Sequence, residues 1–161
     1  MKKLLIIGVL AAVGVVYLGC AKEEAGRKFP TQIEEYSKKG INNMPLCPSM
    51  ESSIMITYTG RRGWAVVLYG AYKTEEAAKI EYNKAEENGR KRYEVGDIEG
   101  MYKTSFLHNT VNVSFGWREG KIFKIVTISK QKQANENIDD IEEQLKEKLP
   151  LFIDAFIGII K

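Results

Sequence analysis

Few residues in this chain could do chemistry, and they fall into small groups. Met44, Cys47 and Met50 recur every three residues in a segment that also holds Pro45 and Pro48. Thioether and thiolate sulfur select Cu(I) over harder ions, which makes these three the weak metal candidate. Against that stands the ordinary use of Met and Cys as core fillers. Cys47 with His108, the one histidine, supplies the elements of a thiolate nucleophile and its base, 61 positions apart. Such a pair needs a lowered thiol pKa beside the imidazole, and no glycine pattern suited to an oxyanion hole surrounds Cys47. Asp139, Asp140, Glu142 and Glu143 are acids at a helix start, where they serve the helix dipole. The oxygen-rich loop of a calcium site is missing there. No catalytic set is assigned, no cofactor is expected, and the chain reads as a non-enzymatic module.

Two kinds of binding residue remain. Arg61-Arg62 and Arg90-Lys91-Arg92 are short basic spots. In a chain held at a membrane they would lean on anionic headgroups, each basic residue contributing about 1 kcal/mol near the surface; otherwise they are solvated turns. Tyr58, Tyr69, Tyr72, Tyr102 and Trp117 sit on expected strands. If helices leave one sheet face open, these rings would meet a protein partner or an apolar small ligand. The competing reading places the same rings in the core.

The elements that must position these groups begin after a leader. Lys2 and Lys3 precede a run, Leu4 to Leu18, without a charged side chain. That length suits a signal peptide and falls short of the roughly 20 residues that span a bilayer. The positive end stays inside, so the rest of the chain faces outward. With Gly19 before Cys20, and Tyr17 where leucine is usual, the segment resembles a prokaryotic lipoprotein signal. That resemblance implies lipid attachment at Cys20 and a location on the extracytoplasmic side of the cell membrane. The alternative is that the leader stays uncleaved as a single N-terminal anchor. The expected organisation is signal or anchor over 1–19, lipidated cysteine and tether over 20–29, and one domain over 30–161.

Composition agrees with a folded domain: 44% of residues are hydrophobic and 28% charged. Without Lys2 and Lys3 the 24 cations become 22 against 21 acids, a balance of +1. That balance gives nucleic acid no basic field to bind, and this partner class is set aside. With Cys20 acylated, Cys47 stands alone and no internal disulfide is expected.

Thr31 with Glu34 has the form of a capping box, and Ile33 and Tyr36 lie three apart, so a helix is expected over about 32–39. The prolines that follow exclude regular structure over 42–52. Ile54, Ile56 and Tyr58 alternate as a strand, and Gly60 to Gly63 form a turn. If Thr59 pairs with Trp64, the three face Tyr69, Val67 and Ala65. The apolar run from Trp64 to Tyr72 is that of a central strand covered on both faces. Thr74 caps a second helix that Asn88-Gly89 closes. A strand from Ile98 to Phe106 follows. A hairpin then turns at Glu119-Gly120, pairing Arg118 with Lys121 and setting Lys124 opposite Phe115. The stripe Ile138, Ile141, Leu145, Leu149, Phe152, Phe156, Ile159 makes a terminal helix, which Pro150 should kink or split.

The order α-β-β-α-β-β-β-α implies an α+β domain: an antiparallel sheet of about five strands with helices on one face. Val95-Gly96-Asp97, the following strand, the Phe115–Ile122 hairpin and the terminal helix together resemble small α+β domains of prokaryotic lipoproteins. The likeness covers about residues 54–160 and implies an envelope domain, with no functional residue carried over. The expected activity is that of a membrane-anchored binding module. A Cu(I)-binding envelope protein and a thiol-dependent envelope enzyme are its rivals.

Overall fold

The computed structural model describes residues 29–43, 46–88 and 90–157. The leader, Cys20, the tether up to residue 28 and Met44 lie outside them. Eight strands form one antiparallel sheet: β1 (Gln32–Ile33), β2 (Tyr36–Asn42), β3 (Met50–Thr59), β4 (Gly63–Tyr72), β5 (Lys91–Val95), β6 (Ile98–Leu107), β7 (Thr110–Glu119) and β8 (Ile122–Gln131). Helix α1 (Glu75–Glu87) joins β4 to β5, and α2 (Ile138–Ile157) ends the described chain. The spatial order is β1-β2-β3-β4-β8-β7-β6-β5. Two four-stranded meanders therefore meet where β4 pairs with β8.

This is a mostly-β fold, which corrects the α+β expectation of about five strands. Three differences account for it. The expected helix over 32–39 is the β1–β2 hairpin, in which Ile33 and Tyr36 are cross-strand partners. Their spacing of three, which a helix turn shares, here spans a two-residue turn with Glu34 at φ 47°. The segment 42–52 is regular at both ends, closing β2 at Asn42 and opening β3 at Met50. Strand β5, KRYEV, had no apolar alternation to announce it, because only Val95 is buried.

The helices also lie on both faces rather than one. Alternate residues of each strand point to opposite sides. Ile56, Tyr58, Ala65, Val67, Tyr69, Val113, Phe115, Trp117, Val126 and Ile128 pack with Ile141, Leu145, Leu149, Phe152, Ile153 and Phe156 of α2 in the main core. A smaller core on the other face joins Met50, Tyr72 and Phe123 to Ala78 of α1, with Cys47, Tyr82 and Ile125 against it. Pro150 lies inside α2, which runs unbroken for 20 residues. Its ring is on the exposed side of the helix. Phe29, assigned to the tether, is part of the main core, so the folded unit begins before residue 30. Thr74 caps α1 as expected, its Oγ1 accepting from the Ala77 amide at 3.1 Å.

The β3–β4 register is the expected one, with Thr59 opposite Trp64 and Ile56 opposite Val67. The β7–β8 register is two residues from expectation. Glu119 pairs with Ile122, so Gly120-Lys121 is the loop and Lys124 lies opposite Trp117, not Phe115. Gly120 takes φ 55° at the first loop position, where a two-residue turn of this kind calls for glycine.

Candidate functional site

All five rings expected to form an open face are buried. Tyr58, Tyr69, Tyr102 and Trp117 belong to the α2 core, and Tyr72 to the α1 core. Tyr58 and Tyr69 meet Phe156 at ring distances of 6.1 and 6.0 Å, and Tyr58 meets Phe152 edge-on at 5.9 Å. Their hydroxyls find partners inside: Tyr58 donates to the Pro30 carbonyl at 2.9 Å, and Tyr69 to the Phe156 carbonyl at 3.1 Å. Burial pushes the Tyr58 hydroxyl up to about 12 and those of Tyr69, Tyr72 and Tyr102 higher still. These are core tyrosines, not a docking face.

Inside that core sits Lys124, with no exposed surface. Its Nζ reaches Glu119 Oε2 at 2.8 Å and lies 5.7 Å from the Trp117 ring centre and 5.8 Å from that of Tyr69. Trp117 Nε1 donates to the other Glu119 oxygen at 2.9 Å. Burial opposes ionisation of Glu119, but the hydrogen bonds from Lys124 and Trp117 outweigh it and hold the carboxyl below its usual range. The lysine is satisfied by one half-exposed acid and two aromatic faces. The arrangement is structural.

The thiol pair is not assembled. Cys47 lies beside the Met50–Tyr72 end of the sheet, its Sγ 3.0 Å from Ser49 Oγ. His108 occupies the β6–β7 turn at the opposite end, at φ 47°. Ten residues of β3 separate those ends, roughly 30 Å. Met50 is turned into the α1 core over Gly70. Of the copper candidates only Cys47 and Met50 are described, and no cluster of three or more His, Cys, Asp or Glu occurs among the described residues. Asp139 and Asp140 stand in the first turn of α2, where acids suit the helix dipole. Asn137 Oδ1 accepts from the Asp139 amide, while Glu142 accepts from Tyr102 and pairs with Lys146.

A cleft of about 320 Å³ opens between the β1–β2 and β3–β4 turns and α2, lined by Tyr36, Arg61, Lys130, Gln144 and Lys148 among others. Its charges are largely spoken for by the protein. Arg62 and Lys130 both pair with Glu136, and Lys148 pairs with Glu35. The Arg62 hydrogen bond, ahead of the other contacts, holds Glu136 down to about 2. Arg61-Arg62 is therefore half committed to an ion-pair network that ties the β3–β4 turn to the start of α2.

The surface the sequence missed is on the α1 side of the sheet. Met55, Trp64, Val66 and Leu68 point to that face, each half-buried, and none of them belongs to either core. Thr57 and Thr127 lie beside them in register, and Ile125 marks the border with the α1 core. β4 was expected to be covered on both faces; among the described residues α1 leaves this strip uncovered. The signal was present in the pairing itself, since the register that sends Ile56 and Val67 inward sends Met55 and Leu68 outward.

Arg90 borders the same face. Its Nη1 is enclosed and has no hydrogen-bond partner, and burial lowers its pKa. The reading of Arg90-Lys91-Arg92 as one solvated basic spot thus holds for Lys91 and Arg92, which are exposed, and not for Arg90.

No family model matches this chain, and no curated protein matches it. Among solved structures, 68% of the chain aligns with a protein from Bacteroides thetaiotaomicron VPI-5482 at 15% identity and a TM-score of 0.34. The aligned part is 42% of that protein, so the chain spans under half of its length. A likeness at that level carries no argument about function.

Proposed function

We propose that this chain is an exported binding module, held at the extracytoplasmic side of a membrane through Cys20 and presenting the strip Met55, Thr57, Trp64, Val66, Leu68 to a protein partner or apolar ligand. The observation that carries the binding half is the uncovered strip itself. Residues of this type in the middle of a sheet are ordinarily covered by a second layer, and here the helices lie elsewhere. The anchoring half rests on the apolar run from Leu4 to Leu18 followed by Gly19-Cys20. The separation of Cys47 from His108 removes the geometry a thiol enzyme would need.

Native mass spectrometry of the full-length protein, extracted from its own host's membranes in mild detergent, tests the anchor. The expected mass begins at Cys20 and carries a diacylglycerol-sized addition. A mass beginning at Met1 without an addition would replace the lipid by a peptide anchor. Recovery of the intact chain from the soluble fraction would overturn the reading.

A further inference from the structure

Strand β6 is longer than the strand that flanks it at the sheet's end. β5 begins at Lys91, opposite Tyr102, and covers β6 only from Ile98 to Tyr102. On the other side β7 follows β6 to the turn, where Leu107 faces Thr110 across His108-Asn109. The closing pair of a two-residue hairpin exchanges its hydrogen bonds, so Leu107, Ser105 and Lys103 aim N–H and C=O at β7. The Asn112 amide, donating to the Ser105 carbonyl at 3.5 Å, fits that direction. Thr104 and Phe106 therefore aim theirs outward, past the start of β5. No strand or side chain meets those backbone groups among the described residues.

An open edge of this kind is a template for a further strand, and native sheets usually blunt it with charge or a bulge. The opposite edge of this sheet is blunted both ways: past Ser37, β2 carries Lys38 and Lys39, with a bulge before Gly40. The open part of β6 has neither device. Thr104, Ser105, Phe106 and Leu107 are uncharged, and their register with β7 is unbroken. Phe106 and Leu107 are 47% and 46% exposed.

We infer that the open edge of β6 is where two copies of this chain join, sheet to sheet, in an antiparallel dimer centred on Ser105. The edge is complementary to itself. Turned about Ser105, Thr104 of each copy faces Phe106 of the other. These are the outward-aimed residues of both strands, so each pair exchanges N–H···O=C bonds. Ser105 meets its own counterpart between them. Lys103 falls opposite Leu107, so no like charges oppose each other. The two Phe106 rings share a face and stand diagonally, within reach of one another. A longer incoming strand would run against β5 at Lys91. The β6 of a second copy instead ends at Leu107 and turns away. The joint lies at another part of the sheet from the Met55–Leu68 strip and does not depend on it.

The test is disulfide trapping with the full chain in its own host, oxidised by diamide. A pair at the centre of such a joint, without mutual hydrogen bonds, has Cα atoms about 4.5 Å apart, within disulfide reach. Ser105→Cys is expected to yield a disulfide dimer of the chain. The wild type, which carries Cys47, and Lys39→Cys on the opposite edge are expected to yield none. Phe106→Lys places a charge on the edge at an exposed position, and adding it to Ser105→Cys is expected to abolish the dimer. Equal dimer yields from Ser105→Cys and Lys39→Cys, or a yield untouched by Phe106→Lys, overturn the inference. Trapping of a different protein at Ser105→Cys, in place of a second copy, overturns it as well.

Discussion

Replacing Glu119 with Ala is expected to cost about 3 kcal/mol of stability, whereas replacing its partner Lys124 with Met is expected to be nearly neutral or stabilising. Lys124 is wholly buried and has Glu119 as its one acid, at 2.8 Å. Removing the acid leaves an ammonium in the core, with only the rings of Trp117 and Tyr69 near it. It also strips Trp117 Nε1 of its acceptor. The figure is put at the low end for a broken buried pair because Glu119 is half in solvent, and water entering on that side screens part of the loss. Lys124→Met removes the charge and keeps a flexible apolar stem in the same space, while Glu119, half in solvent, still accepts from Trp117 Nε1. Denaturant midpoints of the two variants and of the double variant check this. A cost for Lys124→Met equal to that for Glu119→Ala would show that the lysine does more than satisfy itself.

Phe152→Ala is expected to lose about 3–5 kcal/mol, the usual range for a buried aromatic cut to a methyl. Its ring is almost wholly buried and meets Tyr36 at 5.4 Å and Tyr58 at 5.9 Å, both edge-on. Tyr58 in turn holds the Pro30 carbonyl, and Phe29 packs on Tyr69 and Phe156. The cavity therefore opens at the point where the chain enters the domain from its N-terminal side. Leu151→Ala, one position away on the exposed side of α2, is the control and should change stability by less than about 0.5 kcal/mol. Thermal unfolding of both variants separates packing from helix propensity, since Ala is a better helix former than either residue it replaces and cannot account for a loss.

How much of this was legible in the sequence depends on how far each pairing was from its turn signal. β3 and β4 were read in register because the turn signal Gly60–Gly63 fixes the closing pair, Thr59 against Trp64, and that pair sets Ile56 opposite Val67. β7 and β8 were placed on the right faces in the wrong register. A slip of two keeps every side chain on its side, so hydrophobic pattern alone does not detect it. The slip mattered chemically, because the true register brings Lys124 to Trp117 and Glu119. The β1–β2 hairpin was hidden by a coincidence of spacing, since Ile33 and Tyr36 serve a two-residue turn as well as a helical one. β5 had too few buried residues to show a period. The site was less legible than the fold. Aromatic content says that rings will be used, and only the position of α2 decides that they fill the core. Arg90 looked like its neighbours Lys91 and Arg92 until its enclosed Nη1 distinguished it.

The central claim, that the strip on the α1 side of the sheet is the binding surface, is tested most directly by photo-crosslinking. Benzoylphenylalanine is placed at Val66 on the strip, or at Tyr93 on the exposed edge strand β5, in the full chain within its own host's membranes. The account predicts an adduct of one defined mass from position 66 and none from position 93. Labelling that is equal at both positions, or absent from position 66, would contradict it.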